Sequence, residues 1–493
     1  MDLTDRLKAW DSIREATLAG DGDQAAEAQH AKGKKTARER IAMLMDTGSF
    51  VEMDAYRTAE GDDGVPGEGV ITGYGTVEGK PAYAFSQDFT VMGGSVGKIH
   101  AEKIVKTVER AVKHGVPVIG LFDSAGARLQ EGLGAIDAYG SVFAALSRAS
   151  GVVPLVALVM GPCIGAAAAA AAAMDFVIVT DRARLLSAGP QVLGVEDLVC
   201  AGGAAHFRPE TEEEALGIAR RLIGYLPENN LEDVPLALQQ DDINRTTPEL
   251  VAVPENGDYD MRGVLAPVVD ADSWFEIQAH YAPEMVIGFA RFGGRAVGVV
   301  ANQYAASAGR LTAAGMKKAA RMIRLCDAYS LPIVTMVDTV GVLADPEAER
   351  AGMVQAVANL AACYAQATVP MVTLVVGRAI GGGAMLMGSR SLGADAVLAW
   401  KSALVQAMDA EAAATFMFKS RVEAAADPIK ERETIAQRYR ETFMNPVHAA
   451  RCGFIDDAID AATTRQRIIA ALEMAQGKRE ARPAKKHANL PLA

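Results

Sequence analysis

Apolar positions along this chain alternate between two rhythms. Short unbroken runs such as Ala82–Phe85 and Val116–Phe122 have the length and side-chain types of buried strands, and the charged stretch Gly97–His114 between them carries its apolar residues at helical spacing. The order returns later, where Ala296–Ala301 and Ile333–Val337 flank a helical pattern over Ala313–Tyr329. Strand, crossover helix and strand predict parallel pairing, so each half reads as an α/β unit. Residues 1–45 show helical periodicity with dense charge. Within them Lys32 to Arg40 reads as a basic turn, either a solvated helix face or a phosphate contact. The stretch from Leu226 to Asp260 is rich in Pro, Asn, Asp and Gln without steady periodicity, which places a domain boundary near residue 245. The tail from Gly477 to Ala493 reads as a loosely held terminus.

The two halves repeat in detail. Gly48-Ser-Phe-Val-Glu52 returns as Asp272-Ser-Trp-Phe-Glu276, and Gly73 and Gly79 return as Gly288 and Gly294. Pro117 leads to Asp123 as Pro332 leads to Asp338, both 6 residues on. Pro154 leads to Gly161 and Gly165, and Pro370 to Gly377 and Gly381, at offsets of 7 and 11 in both halves. A duplicated unit of this size favours two large domains over a solenoid and predicts two similar functional corners.

Composition narrows the choices. A net charge of −12 argues against nucleic acid as the main partner. The cysteines Cys163, Cys200, Cys326, Cys363 and Cys452 are scattered and odd in number, which points to reduced thiols and a cytoplasmic location rather than disulfides or a zinc ribbon. The N-terminus opens with charged residues, without an apolar signal core. The most apolar stretch, Val152–Ala173, is divided by Pro154, Gly161, Pro162 and Gly165, so it reads as strand, turn and helix start, with no membrane span expected.

Side-chain constellations are sparse. No H-x-x-x-H and no phosphate loop occur, and no metal is expected. Backbone chemistry remains. Gly161-Pro-Cys-Ile-Gly165 followed by Ala166–Ala173, and Gly377-Arg-Ala-Ile-Gly-Gly-Gly383, each predict a strand end, a tight turn and a helix N-terminus with free N–H groups. Both are candidate oxyanion holes, where small residues let a ligand oxygen reach the backbone. The alternative is that Gly and Ala merely allow close helix–sheet packing. Asp123 and Asp338 end strands and read as helix or turn caps before they read as catalytic carboxylates.

These residues resemble the carboxyltransferase (β) subunits of biotin-dependent acyl-CoA carboxylases, such as propionyl-CoA carboxylase, and the related subunits of acyl-CoA decarboxylases. The resemblance runs nearly end to end. It is carried by Thr36-Ala-Arg-Glu-Arg-Ile41, Gly48 to Glu52, Phe85-Ser-Gln-Asp-Phe-Thr90, Gly93-Gly-Ser95, Asp123-Ser-Ala-Gly-Ala-Arg128, Gly161-Pro-Cys163, Tyr225-Leu-Pro-Glu-Asn-Asn230 and Ala394-Asp395.

The resemblance implies two tandem crotonase-like (ClpP/crotonase) domains related by duplication, 1–245 on the acyl-CoA side and 246–493 on the biotin side, with the active site at a dimer interface of a homo- or hetero-hexamer. It implies CO2 transfer between carboxybiotin, borne by a separate biotin carboxyl carrier protein, and the α carbon of a short-chain acyl-CoA thioester. A carboxylase would add a biotin carboxylase subunit. Catalysis would rest on stabilising two oxyanions, with no side-chain base. By position in the family's motifs, Gly165 and Ala166 would hold the thioester oxygen, and Gly382 and Gly383, with Gly381, the biotin ureido oxygen. Ala125, Gly126, Arg128 and Gly161 would lie on the acyl-CoA side, and Met385 where acyl size is tuned.

Several positions depart from the family pattern: Gly165-Ala166 for Gly-Gly, Ala125 for Gly, a poly-Ala helix, a shortened stretch between Gly189 and His206, and Met408 to Ala413 in place of the usual Met-Gly-x-x-Gly-Ala. The altered first hole sustains one alternative, a catalytically weak scaffold subunit. A third reading, a crotonase-type hydratase or isomerase, would need Glu131 and Asp123 as its carboxylates.

Overall fold

The computed structural model describes residues 2–19, 22–58, 66–193, 202–238, 241–253 and 259–484. The chain divides into two compact units, Met1–Asp233 and Val234–Ala493. The expected boundary near 245 therefore moves toward the N-terminus. Residues 235–237 already pair with the second unit, since Ala237 N–H donates to the Gly294 carbonyl at 2.9 Å and Leu236 bridges to Arg295. A Pro-rich composition marked the linker but did not reveal which sheet edge it joins.

In the first unit, β1 (Val51–Met53), β2 (Val70–Val77), β3 (Lys80–Gln87), β4 (Val118–Phe122) and β5 (Leu155–Val159) lie side by side. β6 (Pro162–Ile164) leaves this sheet, and β7 (Phe176–Val179) completes it next to β5. β1, β2 and β3 are antiparallel and the rest parallel, as their crossover helices require. β8 (Arg184–Leu186) pairs in parallel with β6 as a separate ribbon. Ile104, Val108 and Ala111 of the Lys98–His114 helix, and Val142 and Leu146 of the Leu133–Ala149 helix, close the core over Val118, Leu155, Ala157 and Val177.

The second unit repeats the plan. β9 (Phe275–Ile277), β10 (Met285–Phe292) and β11 (Arg295–Asn302) are antiparallel. After the short β12 (Arg310–Leu311) come β13 (Ile333–Thr339), β14 (Gly341–Val342), β15 (Met371–Ile380), β16 (Ala396–Trp400), β17 (Leu404–Gln406) and β18 (Asp457–Ile459). β11, β13, β15, β16 and β18 continue the sheet in parallel, while β12 pairs with β14 and β17 with the end of β15. Val286, Val299, Val334, Val372 and Leu374 form its core with Leu265 of the Met261–Val268 helix and Ile468 of the Thr464–Ala475 helix.

The repeated motifs are repeated contacts. A Cβ on Gly73 would run into the Phe50 ring at 2.6 Å, and one on Gly288 into Trp274 at 2.8 Å, so each aromatic lies on a glycine of the neighbouring strand. Asp46 accepts from Gly79 N–H at 2.9 Å and pairs with Arg220 at 3.0 Å; Asp270 accepts from Gly294 N–H and pairs with Arg465, both at 2.6 Å. Lys103, fully buried, donates to the Gly67 and Val70 carbonyls at 2.8 and 2.6 Å, and Lys318 to those of Gln278 and Tyr281 at 2.8 and 2.7 Å.

Two further expectations need correction. Gly161 to Gly165 is not a bare turn, because β6 runs through it. The start of the tail is held rather than loose: Lys478 donates to the Val369 carbonyl at 3.1 Å and pairs with Asp395 at 2.9 Å, and Arg482 donates to the Ala367 carbonyl at 2.9 Å. Residues 485–493, and 194–201 of the shortened stretch after Gly189 with Cys200 among them, lie outside the described residues. No described helix is long and apolar enough to cross a membrane.

Candidate functional site

Each unit carries one glycine turn at the carboxyl end of its parallel strands, where ligands collect in α/β sheets. In the first unit β5 ends at Val159, β6 follows, and Gly165 turns the chain into the Ala166–Ala172 helix. In the second, β15 runs unbroken to Ile380, and Gly381 opens the Gly381–Leu386 helix. Gly165 has φ 65° and Gly381 φ 59°, a region that a side chain disfavours. Ala166 and Gly382 follow and are exposed, and Ala167 and Gly383 come next and are buried. The first N–H groups of each helix have no intrahelical acceptor, so both turns present donors at exposed small residues.

Gly165 itself contributes less than the sequence suggested. Its N–H already donates to the Leu186 carbonyl of β8 at 2.9 Å, which leaves Ala166 as the exposed donor of that turn. Around Gly382 the nearest atom to an added Cβ is Val342 Cγ2 at 4.0 Å, an open approach, whereas a Cβ on Gly383 would strike Thr339 at 2.8 Å. Met385 stands on the same short helix, 42% exposed.

The loops after β4 and β13 match atom for atom. Ser124 Oγ donates to the Gly94 carbonyl at 2.7 Å and accepts from Gly126 N–H at 3.0 Å. Thr339 Oγ1 donates to the Gly309 carbonyl at 2.7 Å and accepts from Gly341 N–H at 3.2 Å. Ala125 at the tip is exposed and Gly126 half-buried. Arg128 turns inward: its guanidinium donates to Glu68 at 2.6 Å, Glu131 at 3.2 Å and the Ser95 carbonyl at 3.1 Å. In the structure it braces the loop.

Asp123 and Asp338 are not caps. Both are fully buried and held by cations. Lys34 Nζ and Arg40 Nη1 lie 2.6 and 2.8 Å from Asp123 Oδ2, and Arg40 also binds Glu212 at 2.6 Å. Arg378 donates to Asp338 Oδ1 through its backbone N–H and Nε, both at 2.8 Å, and Tyr259 donates to Oδ2 at 2.7 Å. Burial and the adjacent Asp338 push the Tyr259 hydroxyl well above the usual phenol range. The Tyr304 ring stacks on the Arg378 guanidinium at 3.5 Å.

The carboxylates that a hydratase or isomerase would require are thus committed. Glu131 accepts from Lys98 N–H at 2.7 Å at the start of a helix and pairs with Arg128, while Asp123 is held as above. Arg378, Tyr259, Tyr304 and Glu212 escaped the sequence reading. The one signal for Arg378 was its place inside the turn, where the first repeat has Pro162.

A family profile described as a carboxyl transferase domain matches residues 28–490. The propionyl-CoA carboxylase carboxyltransferase subunit of Haloferax mediterranei is 41% identical, over 100% of both chains. The methylmalonyl-CoA decarboxylase subunit alpha of Propionigenium modestum is 42% identical over 97% of each. A crystal structure of transcarboxylase 12S, a hexamer described with methylmalonyl-coenzyme A and methylmalonic acid bound, superimposes with a TM-score of 0.97 at 40% identity, covering 100% of this chain and 99% of that one. Its crotonase-like fold is the fold of this chain. With the profile spanning nearly the whole sequence and both halves built around the same turn, the chain belongs to the carboxyl transferase family.

Proposed function

We propose that this carboxyltransferase moves CO2 between carboxybiotin on a separate carrier protein and the α carbon of propionyl-CoA or methylmalonyl-CoA. The observation that carries the proposal is the pair of turns at repeated positions, each offering backbone N–H groups at an exposed Ala or Gly. A transfer in which negative charge develops on two oxygens requires two such donor sets.

In this reading the Ala166 N–H, beside Gly165, receives the thioester oxygen as the α carbon gains enolate character. The N–H groups of Gly382 and Gly383 receive the ureido oxygen of biotin, for which the open approach at Gly382 leaves room. The carrier-borne biotin, when bound, supplies the carboxyl group and the nitrogen that takes the α-proton. The chain supplies oriented donors and small surfaces. Ala125 and Gly126 leave the acyl-CoA side free of bulk, and Met385 borders the acyl group with an adaptable thioether. The assembly proposed is a hexamer, homomeric or mixed, with carrier and any biotin carboxylase supplied by other chains.

The test is decarboxylation of malonyl-CoA and methylmalonyl-CoA by the purified chain with free biotin, following acetyl-CoA and propionyl-CoA. Biotin-dependent propionyl-CoA is expected. No product from folded, oligomeric protein, with activity restored by a sister subunit, would replace this reading with a scaffold.

A further inference from the structure

The repeated turns are braced differently, and the difference exposes a role for the N-terminal segment. In the second unit the brace is internal: Arg378, one residue after Gly377, gives both its backbone N–H and its guanidinium to Asp338. The matching residue after Gly161 is Pro162, which has no N–H and no cation to give. Asp123 Oδ1 consequently has no hydrogen-bond partner although Asp123 is fully buried. It lies so close to Gly161 that an added Cβ would overlap it. All the charge of Asp123 is met at its other oxygen by Lys34 and Arg40, more than 80 residues earlier in the chain.

The two cations are held unequally. Arg40 is clamped on Glu212 through Nε at 2.8 Å and Nη2 at 2.6 Å and is 1% exposed. Lys34 has Asp123 as its carboxylate partner, lies 4.8 Å from the centre of the Phe89 ring, and retains 12% exposure. Its Nζ is 2.8 Å from where a Gly161 Cβ would stand, so the ammonium sits directly over the residue that precedes β6 on the way to Gly165.

We propose that Lys34 is a positioning residue of the first turn: by pinning Asp123 against Gly161 it fixes the direction in which β6 delivers Gly165 and Ala166, the task that Arg378 performs within the second unit. The inference rests on the proposed function for its catalytic consequence, but its structural content stands apart from it.

The test compares Lys34→Met, which keeps the stem and removes the charge, with Lys34→Arg and with the control Lys113→Met, whose side chain is exposed. Full-length protein is followed by biotin-dependent decarboxylation of methylmalonyl-CoA and by hydrogen exchange. Lys34→Met is expected to lower kcat about 10- to 100-fold with KM changed less than about threefold, because a misaimed donor weakens stabilisation of the transition state more than substrate binding. Exchange should rise in peptides covering residues 161–172 and stay unchanged over 377–386. Lys34→Arg should recover most of kcat, and Lys113→Met should match the parent. Unchanged kcat and exchange in Lys34→Met, or exchange raised everywhere together with a lower melting temperature, would overturn the proposal. If the parent protein shows no turnover, the functional reading fails and the exchange pattern alone decides the positioning role.

Discussion

At Gly382 a valine would meet open space, so it would keep the fold and place two methyl groups over the N–H face. Gly382→Val is expected to reduce transfer by about 100- to 1,000-fold, as loss of an oxyanion donor does, with acyl-CoA affinity by calorimetry nearly unchanged. A large loss of CoA affinity would reassign that turn. Asp123→Asn would leave Lys34 and Arg40 facing a neutral amide in a buried site, and about 3 kcal/mol of destabilisation is expected. Urea unfolding checks this, and both limbs of the pH–rate profile should persist; a lost limb with unchanged melting would make Asp123 catalytic. Gly165, Gly381 and Gly383 were legible in the sequence because a positive φ or a close approach admits little else. The partners of Asp123 and Asp338 were not legible, because a carboxylate after a strand looks the same whether it caps a turn or meets a distant cation.

The four strands and two crossover helices named in the sequence were read nearly to their ends, since a buried parallel strand is an unbroken apolar run: β4 and β11 differ from the expected segments by a residue or two. The β6–β8 ribbon was missed because Gly161, Pro162 and Gly165 carry turn composition, and only β8, twenty residues later, makes the segment a strand. The Lys98–His114 and Ala313–Ala328 helices each bury a lysine in the second turn, and desolvation lowers the pKa of Lys103 and of Lys318 from 10.5 to about 8. The unfolded chain therefore binds these protons more tightly than the native chain between about pH 8 and 10.5, and their burial penalty is relieved as pH rises through that window. The stability of the parent relative to Lys103→Met should accordingly increase between pH 7 and pH 10 in denaturant titrations. A gap that narrows or stays flat would show that Lys103 holds its proton in the fold at least as tightly as in the unfolded chain.

On the first unit the side chains of Leu129, Leu133 and Ile136 are 83%, 83% and 68% exposed in the single chain, which suits contact with another copy. Sedimentation should find a hexamer, as in the transcarboxylase 12S structure, and Leu133→Asp should shift it to smaller species; a hexamer indifferent to that change would place the subunit contact elsewhere. By itself the sequence determined the duplication, the α/β class and the two glycine turns, because these depend on local rules: apolar period, crossover length and the backbone freedom of glycine. The tertiary structure alone decided which groups brace those turns, that the Gly165 N–H is already taken by Leu186, and that the linker's first residues join the second sheet. Those outcomes depend on charges and strand edges that meet only after folding, between residues as far apart as Lys34 and Asp123, and no spacing along the chain encodes which cation will reach a buried carboxylate.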